Sequence, residues 1–344
     1  MVEAATVVES PREVVSSARP RAIRVLYLFP GVAEDSAMIF AKKQVEAVQS
    51  CGVVCEIFAL ASRTDMSCLR RESKRLRQQI AAFQPDLIHA QYGTMTAFLG
   101  SLTASVPLVI TFRGSDLNPA PSDPWIRSVL RRGLSHYAAR KAARMICVSD
   151  ALKRRLWWGK DRAVVLPSGV DTRVFFPRVQ AEARAALGWE QHERIVLFNA
   201  GLSPAVKRMD VAQAAVKAAE TLCGRIRLVM LDGRVPHPAV ATMLNGADCL
   251  IMTSDWEGSP NIIKEALACN LPIVSVDVGD VRERLAGVAP SNIVERDPQA
   301  VARGLAEILA RPQRSNGHAA IAQITQDRIA RQIVALYRDT LRIA

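Results

Sequence analysis

The residues best placed to do chemistry are two glutamates, Glu257 and Glu265, which stand eight positions apart around a Gly-Ser-Pro-Asn turn. Before them lies the apolar run Cys249 to Ser254, which is typical of a buried parallel strand at its carboxyl end. Ser259 is a good helix N-cap and Pro260 suits the first helical position. We therefore expect a helix to begin near Ser259.

A helix start at this point would form an anion site. Its unpaired backbone N–H groups and positive dipole end would face the crevice above the strands, and Gly258 would let a ligand approach the backbone closely. Eight residues of helix span about 12 Å, so the carboxylates can address the two ends of an extended ligand. The spacing predicts a nucleotide-sugar pocket with the diphosphate between Glu257 and Glu265, although such pairs also occur on solvated helix faces.

The segment from Asn245 to Glu283, NGADCLIMTSDWEGSPNIIKEALACNLPIVSVDVGDVRE, closely resembles the donor-site signature of the family 4 retaining glycosyltransferases of the GT-B fold. In that family the first Glu of the motif contacts the donor sugar and the second binds the ribose. The resemblance gives these roles to Glu257, which is thus a predicted catalytic group, and to Glu265, a predicted donor-binding residue. It assigns binding of the sugar and phosphate to the turn residues Gly258, Ser259, Pro260 and Asn261.

A second segment, Asn199 to Asp210 (NAGLSPAVKRMD), resembles the strand-loop-helix in which family members neutralise the donor diphosphate with an Arg and a Lys. Lys207 fits the Lys position, but the usual Arg falls on Gly201. Arg208 is the predicted donor-binding substitute. Fixed cations can stabilise a leaving diphosphate without a metal, so Lys207 is a predicted catalytic group, and the alternative is an exposed helix-start residue.

On the first half of the chain, Leu108 to Leu117 (LVITFRGSDL) resembles the cleft-facing segment in which many relatives carry TFHGSDL. Arg113 stands in place of the His and is a permanent cation with a planar fork, so it is a predicted catalytic group for phosphate or acceptor recognition. The alternative is that Arg113 pairs with Asp116 to brace the loop.

Three further residues are predicted on the acceptor side of the cleft: Asp116, His89 and Gly31. His89 ends a predicted strand, where a structural role is the alternative. Gly31 is all that remains of a glycine-rich loop that relatives carry at positions 29 to 35.

Around these motifs, β-rich runs alternate with helical stretches, which predicts an α/β protein with two Rossmann-like, doubly wound parallel-sheet domains facing a central cleft. The predicted strands of the first domain are Ile23 to Phe29, Val53 to Leu60, Asp86 to Tyr92, Leu108 to Phe112, Met145 to Ser149 and Val164 to Pro167. Those of the second are Ile195 to Asn199, Ile226 to Leu231, Cys249 to Thr253 and Ile273 to Val276.

The predicted division is a mobile tail over 1–20, an acceptor-side domain over 21–167, a donor domain over 168–323 and a C-terminal helix over 324–344. The segment 165–175, VLPSGVDTRVF, resembles the family's interdomain PNGVD turn, with Ser168 in place of Asn. By the same resemblance the C-terminal helix crosses back onto the first domain. Between Leu231 and Cys249 only a short helix fits, roughly Pro238 to Asn245, where most relatives have an extra strand and helix that help to hold the base.

Composition narrows the class of protein. The 344 residues suit two domains, and no apolar run reaches the 18 or more residues that a membrane span needs. The first twenty residues lack the pattern of a signal peptide, and the seven cysteines form no CxxC pair, so we expect reduced thiols in the cytoplasm. The five scattered histidines show no metal-ligand spacing, so neither a metal nor a cofactor is expected.

The charge balance predicts an acidic partner. There are 45 Lys and Arg against 33 Asp and Glu, a net charge of +12. Part of this excess lies at Arg127, Arg131, Arg132, Arg140, Lys141, Arg144 and Lys153 to Arg155, followed by Trp157 and Trp158. The mixture favours peripheral contact with an anionic membrane on its inner face; the alternative is a solvated helix face. Nucleic acid is not an expected partner, because no recognisable binding module accompanies the basic run.

The resemblance implies a retaining transfer of a hexose from a nucleotide diphosphate sugar to a hydroxyl of a lipid-linked saccharide, polysaccharide or other glycoconjugate. The product would be an α-glycoside, with the departing phosphate as the base. An epimerase or phosphorylase of the same two-domain form is a lesser alternative. The alternative of a different class is a non-catalytic nucleotide-sugar-binding subunit of a membrane-associated polysaccharide assembly complex. The sequence leaves the nucleotide, sugar, acceptor, linkage and oligomeric state open.

Overall fold

The computed structural model describes residues 21–31, 38–61, 67–118, 124–201 and 204–343. Over these residues the chain forms two parallel β-sheets flanked by helices. The predicted α/β architecture is therefore confirmed. The predicted mobile tail and positions 32 to 35 of the loop after Gly31 lie outside the described residues.

The first sheet has six strands in the order β2-β1-β3-β4-β5-β6. They are β1 (Arg24–Pro30), β2 (Val54–Leu60), β3 (Leu87–Ala90), β4 (Leu108–Phe112), β5 (Arg144–Cys147) and β6 (Ala163–Val165). The helices between them are α1 (Ile39–Gln49), α2 (Ser67–Phe83), α3 (Thr94–Thr103), α4 (Trp125–Lys141) and α5 (Asp150–Arg154). Along β1, Leu26 and Leu28 pack into one core while Val25 and Tyr27 pack into another, because helices cover both faces of the sheet.

The second sheet has five strands in the order β11-β10-β9-β7-β8. They are β7 (Ile195–Asn199), β8 (Arg227–Leu231), β9 (Cys249–Met252), β10 (Ile273–Val276) and β11 (Ser291–Val294). The associated helices are α6 (Gln180–Leu187), α7 (Pro204–Lys207), α8 (Met209–Cys223), α9 (His237–Gly246), α10 (Asn261–Ala268), α11 (Val281–Leu285), α12 (Pro298–Ala310) and α13 (Gly317–Ala320). The edge strand β11 was not predicted, because Ser291 and Asn292 interrupt the apolar run that marks a buried strand.

The C-terminal helix α14 (Gln326–Ile343) packs against the first sheet. Its residues Ile329, Ile333 and Tyr337 share one core with Tyr27 of β1. The hydroxyl oxygens of Tyr27 and Tyr337 lie 2.6 Å apart in a buried hydrogen bond. The chain therefore returns from the second domain to the first.

The two domains also meet at the segment that joins their sheets. The backbone N–H of Val170 donates to the Ile324 carbonyl at 3.0 Å, and that of Gln326 donates to the Val170 carbonyl at 2.8 Å. The ammonium of Lys264 on α10 is fully buried and donates to the Ser168 carbonyl at 2.9 Å. These bonds fix the carboxyl ends of the two sheets close to one another, which is where ligands bind in open α/β sheets.

Candidate active site

Glu257, the first predicted carboxylate, lies in the loop between strand β9 and helix α10. The strand is buried, and the chain leaves the sheet through Thr253 and Ser254 before it reaches Glu257. Helix α10 begins at Asn261, and its N-cap residue is Pro260, with φ −67° and ψ 120°. It has no side-chain cap, because a proline side chain carries no hydrogen-bond acceptor. The prediction that Ser259 caps this helix was wrong. Its hydroxyl donates instead to Oδ2 of Asp280 at 2.9 Å.

Glu257 forms an ion pair with Lys207. The Nζ of Lys207 lies 2.5 Å from Oε1 of Glu257, and the Ser254 hydroxyl donates to the same oxygen at 2.8 Å. Both side chains are partly exposed, Lys207 by 20% and Glu257 by 12%. The structure therefore brings the two predicted catalytic groups of the second domain into direct contact at the mouth of a cavity.

Glu265 lies within helix α10 and lines the same cavity. No hydrogen bond from another side chain reaches its carboxylate in the part of the chain that the structure describes. Burial raises the pKa of Glu265 to about 7, and the neighbouring Lys264 ammonium partly opposes this rise. Burial also lowers the pKa of Lys264 to about 8. A carboxylate with unused acceptor capacity is suited to bind hydroxyl donors of a ligand.

At Gly258 the backbones of the two domains lie in close contact. A Cβ atom at this position would lie 2.0 Å from the Arg113 carbonyl oxygen and 3.1 Å from the Gly114 Cα. The Asn118 side chain adds a hydrogen bond across the same gap, donating to the Glu257 carbonyl at 3.3 Å. Only glycine fits here, so the loop after β9 and the loop after β4 form one continuous wall.

Arg113 lies on that wall, but its guanidinium is already bound by protein groups. It donates to the Gln91 carbonyl at 3.1 Å, to the Ser168 hydroxyl at 2.9 Å, to the Gln44 amide oxygen at 3.2 Å and to the Gln91 side chain. Burial lowers the pKa of Arg113 to about 10. Arg113 lines the cavity, so an anion could contact it. Its bonds also connect the loop after β4 to Ser168 of the interdomain segment, which is a structural role.

Asp116 is not the acceptor-side residue that the sequence predicted. It is fully buried, and its carboxylate accepts backbone N–H groups from Gly93, Arg113 and Gly114 at 2.8 to 3.1 Å. The alternative of a side-chain pair between Arg113 and Asp116 is also wrong, because the carboxylate holds the backbone of the loop instead. Asp116 is a structural residue of the turn after β4.

His89 does not face the acceptor side either. It is fully buried, with Nδ1 2.5 Å from the Tyr337 hydroxyl and Nε2 2.7 Å from the Thr111 hydroxyl. Burial lowers the pKa of His89 to about 3, so the ring is neutral. The structural alternative for His89 is the correct one, since it joins the C-terminal helix to the first sheet.

Arg208 does not replace the cation missing at Gly201. Its guanidinium is held by the carboxylates of Asp210, at 2.8 to 3.3 Å, and Asp255, at 3.3 Å. These bonds raise its pKa, and Arg208 is not among the described residues that line the cavity. Its predicted donor-binding role therefore has no support in the geometry. Gly31, which follows β1 with a φ of 90°, is likewise absent from the described lining.

The cavity itself has a volume of about 580 Å³ and lies between the two domains. The first domain lines it with Met38, Ile39, Phe40 and Arg113. The second lines it with Asn199, Gly201, Lys207, Leu231, Gly233 to His237, Val240, Glu257 to Ile262 and Glu265. The predicted turn residues Gly258, Ser259, Pro260 and Asn261 all belong to this lining, and the amino end of α10 thus opens onto it.

Sequence reasoning missed the loop between β8 and α9, which supplies Arg234 to the cavity, and the first residue of α9, His237, which also lines it. The available signal was its place at the carboxyl end of a parallel strand, where ligand-binding loops of such sheets lie. Nowhere in the described ranges do three or more His, Cys, Asp or Glu side chains come together in a way that could hold a metal ion. The arrangement offers carboxylates, a lysine and a helix amino end to an extended, anionic, hydroxyl-bearing ligand.

Two family models match the chain, one for each sheet. Residues 33–174 match the model described as Glycosyltransferase Family 4, and residues 173–311 match the model described as Glycosyl transferases group 1. A Bacillus subtilis (strain 168) glycosyltransferase named for teichuronic acid biosynthesis is 30% identical over a match that covers 57% of this chain and 54% of that protein. The chain thus spans about half the length of this curated relative.

Solved structures share the two-domain arrangement. Sucrose-phosphate synthase from Thermosynechococcus elongatus matches with a TM-score of 0.79 and 18% sequence identity, over 94% of this chain and 100% of that chain. The Anabaena protein HepE in complex with UDP-glucose matches with a TM-score of 0.69 and 16% identity, over 92% and 100%. At these identities the likeness establishes the fold.

Proposed function

Because the chain belongs to family 4 of the glycosyltransferases and has the GT-B fold, we propose that it is a retaining, metal-independent hexosyltransferase. It moves a hexose from a nucleotide diphosphate sugar to a hydroxyl of a lipid-linked saccharide, a polysaccharide or another glycoconjugate, and it forms an α-glycosidic bond. The observation that carries this proposal is the meeting of Glu257, Glu265 and Lys207 with the amino end of α10 on one cavity wall.

In this mechanism Glu265 binds the ribose hydroxyls, the amino end of α10 and Lys207 hold the diphosphate, and Glu257 contacts the sugar. A donor phosphate competes with Glu257 for the Lys207 ammonium, and the sugar hydroxyls take over the freed carboxylate oxygen. The fixed positive charge stabilises the leaving diphosphate as the bond to the sugar breaks. The acceptor hydroxyl attacks from the same face, and its proton passes to the departing phosphate.

We propose further that the acceptor is met at an anionic membrane on its cytoplasmic side. Helix α4 exposes an apolar ridge of Trp125, Ile126, Val129 and Leu130, with exposed fractions of 57 to 74%. Arg127 lies within the ridge. Trp157 is also exposed, and its ring stacks on that of His136 of α4 with 3.9 Å between the ring centroids. Apolar side chains with basic neighbours suit an anionic lipid interface. No helix among the described residues has the length and apolarity that crossing a bilayer requires.

The proposed activity is tested by incubating the protein with UDP-, GDP- and ADP-sugars, with and without an extract of lipid-linked acceptors, and measuring nucleoside diphosphate release. Glu265→Ala should abolish release from the one donor that the wild type uses. Glu182→Ala, which removes an exposed carboxylate from α6 of the same domain, is the matched control and should leave release unchanged. Absence of binding to every donor would overturn the donor site.

The second candidate is a non-catalytic nucleotide-sugar-binding subunit of a membrane-associated polysaccharide assembly complex. The absence of a family cation at Gly201 and the bound state of Arg208 favour it, because both reduce the charge available to a leaving group. Saturable donor binding without release under any acceptor would support this candidate over the transferase.

The membrane proposal is tested by flotation with phosphatidylcholine vesicles that contain or lack phosphatidylglycerol. Wild-type protein should float with the anionic vesicles only, and the variant Trp125→Ser/Leu130→Ser should remain at the bottom of the gradient. Equal binding to both vesicle types, or no binding to either, would overturn an anionic membrane partner.

A further inference from the structure

The loop between β8 and α9 presents an arginine to the cavity. Arg234 is exposed and lines the same space as Lys207, Glu257 and Glu265. A local turn holds its backbone, because Gly233 has a φ of 80° and the Arg234 N–H donates to Oδ1 of Asp232 at 2.9 Å. Over the described part of the chain, no hydrogen bond or ion pair occupies the Arg234 guanidinium. Its five donors are available to a ligand.

The other cations near the cavity are already bound within the protein. Lys207 contacts Glu257, the Arg113 guanidinium donates to groups on three other residues, and Arg208 contacts Asp210 and Asp255. A diphosphate carries more negative charge than the single Lys207 ammonium balances. A planar fork with unused donors is the group best suited to complete that balance.

The position of Arg234 also matches the place where a cation is missing. The Gly201 N–H donates to the Leu231 carbonyl at 3.1 Å, so the end of β7 lies directly beside the end of β8, three residues before Arg234. Gly201 and Arg234 line one cavity. The β8 loop therefore carries an arginine on the same cavity as the position where the family cation is missing.

We propose that Arg234 is the second diphosphate-binding cation, acting from the β8 loop together with Lys207. This inference rests on the proposed function, since it needs a nucleoside diphosphate in the cavity. It assigns Arg234 a binding role that the sequence resemblance places at Gly201 and that Arg208 does not fulfil.

The test measures binding of UDP, GDP and ADP, and of UMP, GMP and AMP, by isothermal titration calorimetry. For the diphosphate that wild type binds best, Arg234→Ala should weaken binding by about 10- to 100-fold, as expected for charge-assisted hydrogen bonds. The matching monophosphate should lose much less. Arg234→Lys keeps the charge without the fork and should fall between the two proteins.

Arg225→Ala is the matched control, because Arg225 is an exposed arginine at the opposite end of β8. It removes the same charge from the same domain and should bind all nucleotides as wild type does. A second variant, Arg234→Ala with Gly201→Arg, should recover diphosphate binding. Equal diphosphate affinities for wild type and Arg234→Ala would overturn the Arg234 assignment alone, whereas wild-type protein that binds no nucleotide would overturn the donor site as well.

Discussion

The loops after β4 and β9 pack against each other in one wall of the cavity and use similar residues in opposite ways. In the first loop, the Asp116 carboxylate and the Arg113 guanidinium are occupied by backbone and side-chain partners. In the second, Glu257 has contacts from Lys207 and Ser254, and both Glu257 and Glu265 line the cavity. A charged residue that follows a strand therefore becomes available to a ligand only where other groups hold the loop.

Each loop is held by a different device. The first is shaped by Asp116, which gathers three backbone N–H groups. The second is held by the absence of a side chain at Gly258, which lets its backbone pack directly on Arg113 and Gly114. Because backbone contact fixes the second loop, the Glu257 carboxylate is left to face the cavity beside Lys207. The four changes that follow test this contrast.

Of these four changes, Lys207→Ala should have the largest effect on activity. If Lys207 stabilises the leaving diphosphate, its loss should lower kcat by about 100- to 1,000-fold, similar to the removal of one preorganised donor from an active site. Turnover of the preferred donor, measured by nucleoside diphosphate release at saturating donor, gives this value. Lys217→Ala on α8 removes an exposed lysine from the same domain and is the control. Unchanged turnover in Lys207→Ala would remove Lys207 from the mechanism.

Gly258→Ala should separate the two loops. The added methyl group would lie 2.0 Å from the Arg113 carbonyl oxygen, so backbone must move, and we expect a loss of about 3 kcal/mol in the free energy of unfolding. Urea denaturation measures the loss, and activity should fall with it. The matched control is Gly133→Ala on α4, where a methyl group meets nothing within 4 Å. Wild-type stability in Gly258→Ala would mean that the wall between the domains is not tightly packed.

The contrast also explains what the sequence could and could not predict. Apolar runs predicted ten of the eleven strands, because most strands of the two sheets are buried on both faces, which leaves a direct pattern in the sequence. The Glu257 to Glu265 motif predicted one wall of the cavity. The roles of His89, Asp116 and Arg208 are set by partners far along the chain or by loop geometry. His89, for example, is bound by Tyr337. No local pattern reports such partners. Arg234 was missed for the same reason, since its availability is a property of its surroundings.

Glu265→Gln should have a smaller effect than Lys207→Ala, and it should act on donor binding instead of turnover. Loss of the charge on a hydroxyl acceptor should raise the donor KM by about 10- to 100-fold. Stability should also change with pH, because burial raises the pKa of Glu265 to about 7. Between about pH 4.5 and about pH 7 the folded wild type keeps a proton that the unfolded chain has released, so its free energy of unfolding falls as pH rises.

Glutamine cannot ionise, so Glu265→Gln should lack this particular fall. Urea denaturation of the wild type and of Glu265→Gln at about pH 5 and about pH 8 tests this. The difference between their free energies of unfolding should change between the two pH values. Glu182→Gln, at an exposed position, should follow the wild type at both pH values. A stability difference that stays constant with pH would show that Glu265 titrates as an ordinary exposed carboxyl group.

Tyr337→Phe should have the smallest effect and should act on stability alone. The Tyr337 hydroxyl lies 2.6 Å from that of Tyr27 and 2.5 Å from Nδ1 of His89, all within the core that joins α14 to the first sheet. Its removal leaves these buried groups with one partner fewer and should cost about 1 to 2 kcal/mol of unfolding free energy. Because His89 takes no part in the cavity, kcat and the donor KM should stay within about twofold of wild type. A loss of 1.4 kcal/mol in donor binding would instead change the donor KM about tenfold. A selective rise in the acceptor KM at unchanged stability would reverse the contrast between the two domains and return His89 to the acceptor side.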